Sequence, residues 1–170
     1  MPTHSYDAGE HLRVIRDDKN VLRIHHGGSE IATLKSVIGG GVRLDAHGRT
    51  WRLTTDEAGW RATGDPPATL RHRALRGDRL TIGGHEYTVS STSVKGPDGL
   101  LLRAAKTKDA RRPALTIEIV TPPPQSQDPH ASVALATAAL VMSVDLNPTR
   151  ATPNFNGDNV SAALRYAPGL

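Results

Sequence analysis

Between positions 71 and 79 the chain reads Arg-His-Arg-Ala-Leu-Arg-Gly-Asp-Arg, four arginines in nine residues. On an extended strand, side chains two apart share a face. Arg71 and Arg73 would therefore aim two guanidinium forks the same way, a geometry suited to phosphate oxygens. Arg76 and Arg79 extend the segment, and Arg103, Lys106, Lys108, Arg111 and Arg112 form a second basic cluster. The residues expected to hold an anionic ligand are Arg71, Arg73, Arg76, Arg79, Lys106, Lys108, Arg111 and Arg112. The competing reading is a solvated strand and loop, partly neutralised by Asp78 and Asp109.

Other chemistries find less support. Eight histidines invite a metal, but His25 and His26 are adjacent, which on a strand sends them to opposite faces, and no cysteine accompanies them. No metal site and no cofactor are expected. Asp17/Asp18 and Asp56/Glu57 fall in turn-like stretches, where carboxylates serve backbone hydrogen bonds rather than paired acid and base work. The glycine clusters Gly39-Gly40-Gly41 and Gly83-Gly84 lack the following helix of a phosphate-cradling loop, and no Gly-x-Ser-x-Gly elbow occurs. No catalytic residue is named on these grounds. Aromatic residues are only 4% of the chain, too few for a base-stacking platform. Trp51, Trp60 and Tyr87 read as core or rim residues.

The formal net charge of +4 is unevenly spread. Residues 1–120 hold 19 Lys and Arg against 14 Asp and Glu, whereas residues 121–170 hold two against three. The front of the chain is the basic part, and a surface of that sign suits phosphate groups. With no cysteine, no basic-then-apolar start, and no apolar run approaching roughly 20 residues, the expectation is a cytoplasmic protein without a transmembrane segment, peripheral at a membrane if it meets one.

The elements that must position these residues are mostly strands. From residue 11 to about 121, alternating stretches rich in Val, Ile, Leu and Thr recur between turn signals. They cover residues 11–16, 21–25, 30–37, 42–45, 49–54, 59–63, 69–74, 79–82, 86–91, 100–105 and 115–120. So many short, evenly spaced strands predict a closed antiparallel barrel or a sandwich of about 11–12 strands.

At Pro122-Pro123-Pro124 the character changes, since three successive donors are lost to any sheet. Asp128 is placed to cap a helix, Pro129 suits its first position, and Asn147-Pro148 limits its end, which predicts a helix over 129–145. From Val133 to Val144 it has no charge, and apolar residues occupy every direction around its axis, with Thr137 and Ser143 able to bond back to their own helix. Such a helix must be covered on all sides. Three arrangements do this: a plug along the lumen of the barrel, which is preferred, a helix laid across one sheet, or one buried by dimerisation. Asp145 is anomalous, because a carboxylate in the last turn opposes the helix dipole. Three parts follow: an N-terminal arm at 1–10, a single domain at 11–148 and a tail at 149–170.

A strand-rich barrel followed by an apolar C-terminal helix resembles the Tubby C-terminal fold shared by Tubby-like proteins, LURP-one-related proteins and phospholipid scramblases. The segment 136–145, Ala-Thr-Ala-Ala-Leu-Val-Met-Ser-Val-Asp, looks like the central helix of that family. The LURP-one-like branch is the nearer likeness, because the phosphoinositide-holding lysine-arginine pair of Tubby and the acidic calcium segment of scramblases have no counterpart here. The resemblance implies a non-enzymatic domain presenting a basic barrel surface to anionic phospholipid head groups or an acidic protein. A nucleic-acid-associated protein is the alternative, and an enzyme with a scattered site the third reading.

Overall fold

In a computed structural model, residues 6–18, 20–37, 40–107 and 114–143 are described. Twelve antiparallel strands form an up-and-down meander: β1 (His11–Asp18), β2 (Val21–His26), β3 (Ser29–Ser36), β4 (Val42–Ala46), β5 (Arg49–Asp56), β6 (Gly59–Thr63), β7 (Ala68–Arg71), β8 (Asp78–Ile82), β9 (His85–Val89), β10 (Ser93–Gly96), β11 (Gly99–Thr107) and β12 (Ala114–Ile119). Each pairs with its sequence neighbour, and β1 pairs with β12 through Leu12 opposite Ile117 and Val14 opposite Leu115. That pairing closes the barrel and leaves no strand edge unpaired.

Period-2 alternation turns one side chain in two inward. In β5, Trp51 and Leu53 are buried while Thr50, Arg52 and Thr54 face out. Register shifts occur at three places, one of them at Arg16–Asp18 of β1, and the other two change the burial rule. Ile24 pairs with Ala32 and His25 with Glu30, so the extra residue Ile31 is buried beside Ala32. Likewise Leu101 lies between the partners of Val94 and Lys95 and is buried beside Leu102. Most outward positions are polar or charged, with Ile15, Val21 and Leu100 as apolar exceptions, the reverse of a barrel whose outer wall faces lipid. No helix among the described residues is long and apolar enough to cross a membrane.

A 3-10 turn at Gln125–Gln127 leads into α1 (Pro129–Met142), about 21 Å long at 1.5 Å per residue. Every residue from Ala131 to Met142 is buried. The helix packs on β4, β8, β10 and β11, and β4 and β10 stand six places apart around a ring of twelve. A helix touching opposite walls lies in the lumen, so the plug arrangement holds. Alanines at 131, 134, 136, 138 and 139 keep it thin enough to fit among Leu and Ile side chains from the wall.

Asp128 caps α1 and Pro129 occupies its first position, as the sequence predicts. The helix ends three residues earlier than expected, with Ser143 as its C-cap, and Val144 and Asp145 lie outside the described residues. Ser143 Oγ does donate to Leu140 O at 2.8 Å, whereas Thr137 Oγ1 is buried with no hydrogen-bond partner among the described residues. The strand over 69–74 stops at Arg71, and β10 is an addition: its sequence, Ser-Val-Lys-Gly, holds a single apolar residue, too little alternation to register. The described part of the N-terminal arm belongs to the barrel. Gly9 N donates to Ile119 O, Ile119 N to Glu10 O, and Tyr6 joins the core.

A candidate anion-binding surface

In an antiparallel meander, alternate connections lie at the same end of the barrel. The β1–β2, β3–β4, β5–β6, β7–β8 and β9–β10 connections therefore share one end with the C-terminus of α1, and the chain leaves β11 at Thr107 and begins β12 at Ala114 there as well. The first basic cluster belongs to that end. Lys108, Arg111 and Arg112 lie outside the described residues, as does the side chain of Lys106, which stands on β11.

The four arginines of the β7–β8 region have separate settings. Arg71, the last residue of β7, bonds Asp56 at 3.2 Å. Desolvation at Asp56 works against ionisation but is outweighed by the Ala58 N–H and Arg71, and the carboxyl sits below its usual range. Arg73 lies beyond the strand, so it does not share the β7 face with Arg71; its Nε donates to Gly77 O at 3.1 Å. Arg76 is exposed in the connection, and Arg79 is exposed on β8. Neither has a hydrogen bond or ion pair among the described residues.

Register produces what the spacing does not. Arg79, rather than Arg73, is the neighbour of Arg71, directly opposite it across β7 and β8. A second row lies on the same outer wall: Lys35 on β3 faces Arg43 on β4, which faces Arg52 on β5. Arg43 Nε bonds Asp45 at 2.9 Å, but Lys35 and Arg52 make no hydrogen bond or ion pair among the described residues. Like charges set directly opposite one another destabilise a sheet. Lys35, Arg43 and Arg52 are absent from the sequence-derived set because each is isolated along the chain; only strand pairing aligns them.

The other end of the barrel holds an aromatic and histidine cluster that the sequence also conceals. Tyr6 OH and His47 Nε2 lie 3.1 Å apart, the His47 and His130 rings 4.1 Å apart, and the Tyr6 and His26 rings 5.2 Å apart, while His26 Nε2 meets Glu10 Oε1 at 3.0 Å. The His47–His130 and Tyr6–His26 pairs are tilted and Tyr6 meets His130 edge-on, and no group of three His, Cys, Asp or Glu able to hold a metal ion occurs among the described residues. Burial pushes the Tyr6 hydroxyl up and His130 down. Beside them Arg49 clamps Asp128 with two bonds of 2.7 and 3.0 Å, and those bonds hold the Asp128 carboxyl low against partial desolvation.

A crevice of about 30 Å³ between the β10–β11 turn and Pro122–Pro124, with Tyr87, Asp98 and Gln127 on its walls, has room for one or two waters. The two tryptophans and the two tyrosines among the described residues are all buried, as expected for Trp51, Trp60 and Tyr87. Comparison of the chain with protein-family models, with curated proteins and with solved structures finds no match.

Proposed function

We propose that this protein is a non-enzymatic binding domain whose basic outer wall engages anionic phospholipid head groups, at the cytoplasmic face of a membrane. The observation that carries the reading is the direct opposition of cations across strands, Arg71 to Arg79 and Lys35 to Arg43 to Arg52. Repulsion within these rows falls when phosphates lie between them, so bound anion and sheet stability favour each other. Twelve strands closed around an apolar helix also suit the Tubby and LURP-one-like resemblance, and a filled lumen leaves binding to the exterior. The tryptophans and tyrosines among the described residues are buried and so offer no stacking surface to single-stranded nucleic acid.

Vesicle co-sedimentation tests this. The full chain should sediment with vesicles containing phosphatidylserine at low salt and release as salt rises. Lys35→Gln with Arg52→Gln, and Arg76→Gln with Arg79→Gln, should each weaken binding. Absence of sedimentation at low salt ends the lipid reading. Retention of a DNA duplex with a steep dependence on log salt, or capture by an acidic protein alone, would replace it with the nucleic-acid or protein alternative.

A further inference from the structure

Leu75 is 95% exposed, and it is the one large hydrophobic residue left exposed among the described residues. It occupies the middle of the β7–β8 connection, between Arg73 and Arg76, with Arg71 and Arg79 at the bordering strand ends. The connection is held at both ends. His72 N donates to Ala58 O at 2.7 Å, His72 Nδ1 meets Asp78 Oδ2 at 3.1 Å and Arg73 Nε reaches Gly77 O at 3.1 Å. Gly77 has a positive φ of 75°, and a Cβ there would sit 2.8 Å from Val89 O, so the loop passes tight against the wall. Leu75 is thus presented outward by a braced turn.

From this we propose that the β7–β8 connection is a membrane wedge: Leu75 inserts among the lipids of an anionic bilayer while Arg76 and Arg79 contact phosphates above it. The inference rests on the lipid reading above and adds the point of contact and the orientation. Its physics is that of an interfacial anchor, an apolar tip ringed by cations, with each arginine near an anionic surface favouring binding about fivefold. Of the nearby acids, Asp56 is paired with Arg71, whereas Asp78, which meets His72 Nδ1, and Glu57 on the adjacent connection lie beside the contact. The contacting end is also where α1 terminates.

The chain contains no cysteine, so Leu75→Cys creates a unique labelling position. An environment-sensitive fluorophore there should brighten and shift to the blue on adding phosphatidylserine vesicles, and should be quenched by shallow lipid-borne nitroxides. The same label at Glu86→Cys, exposed on β9, should stay unchanged. Leu75→Asp should weaken co-sedimentation about tenfold, the loss of one leucine's burial. Sedimentation with no change at position 75, or unaltered binding of Leu75→Asp, overturns the wedge and leaves the lipid reading standing. Failure of the unaltered protein to sediment removes that reading and the wedge together. Because the side chain is solvent-exposed, neither substitution threatens folding.

Discussion

Asp128 joins three stabilising features that can be separated by substitution. Its φ of 50° and ψ of 75° place it in the left-handed region, its carboxylate accepts from Ala131 N, and it receives both guanidinium bonds of Arg49. The capping bond is long at 3.4 Å, so it contributes at the lower end of the range, about 0.5 kcal/mol. The ion pair is bidentate but more than a third exposed, which limits it to about 0.5–1 kcal/mol. A β-carbon without a local polar partner in the left-handed region costs about 1–2 kcal/mol. Asp128→Asn, which keeps the amide cap and tolerates the conformation, should lose about 0.5–1 kcal/mol. Asp128→Gly removes cap and pair but not the conformational freedom, and Asp128→Ala removes all three, for a total of about 2–3.5 kcal/mol. At about 2–4 °C per kcal/mol, alanine should lower Tm by roughly 4–14 °C. Urea and thermal unfolding of the three variants and wild type would measure the order. Equal losses for Asn and Ala would refute this division. The carboxyl is held low in the fold, so its stabilisation is present above about pH 4 and fades as pH falls through the lowered value. The gap between wild type and Asp128→Asn should close in acid.

Other consequences follow from the same contacts. Gly59→Ala would drive a Cβ into Leu70 O at a φ of 148°, against backbone that cannot yield without breaking the β6–β7 ladder; a loss above about 3 kcal/mol is expected in urea unfolding. Leu140→Ala, at a fully buried position on the lumen helix, should cost about 2–5 kcal/mol by the same measurement and reduce unfolding cooperativity little. His130 is disfavoured as a cation, chiefly by burial and then by Arg49, with Asp128 opposing. Its folded pKa lies below the unfolded value, so the associated stability is present above about pH 6.5 and declines as pH falls below it. Tyr6, His26, His47 and Glu10 pack in the same cluster, so Tm against pH should be compared with a His130→Phe variant, in which that acid slope should flatten.

Where the features of this protein depend on neighbours along the chain, its sequence was sufficient. Alternation of Leu12 and Val14 with Arg13, or of Trp51 and Leu53 with Arg52, marks strands because side chains alternate faces, and Asp128-Pro129 marks a helix start because an orphan donor and a fixed φ are local matters. An apolar surface around the whole of α1 required a container, and about eleven strands supplied one. The expectation that Arg71 and Arg73 share a strand face fails because the strand ends at Arg71, where the chain turns away. Partners distant in sequence were settled only by tertiary structure. Closure of β1 on β12, the bulges that bury Ile31 and Leu101, the gathering of Tyr6, His26, His47 and His130, and the cation rows at Lys35, Arg43 and Arg52 all depend on cross-strand register or on which connection shares an end. Across a tight hairpin such as Ala46 to Arg49 the turn at His47-Gly48 fixes the register locally, whereas closure of β1 on β12 and the gathering of the histidines are outcomes of packing the whole barrel around its helix.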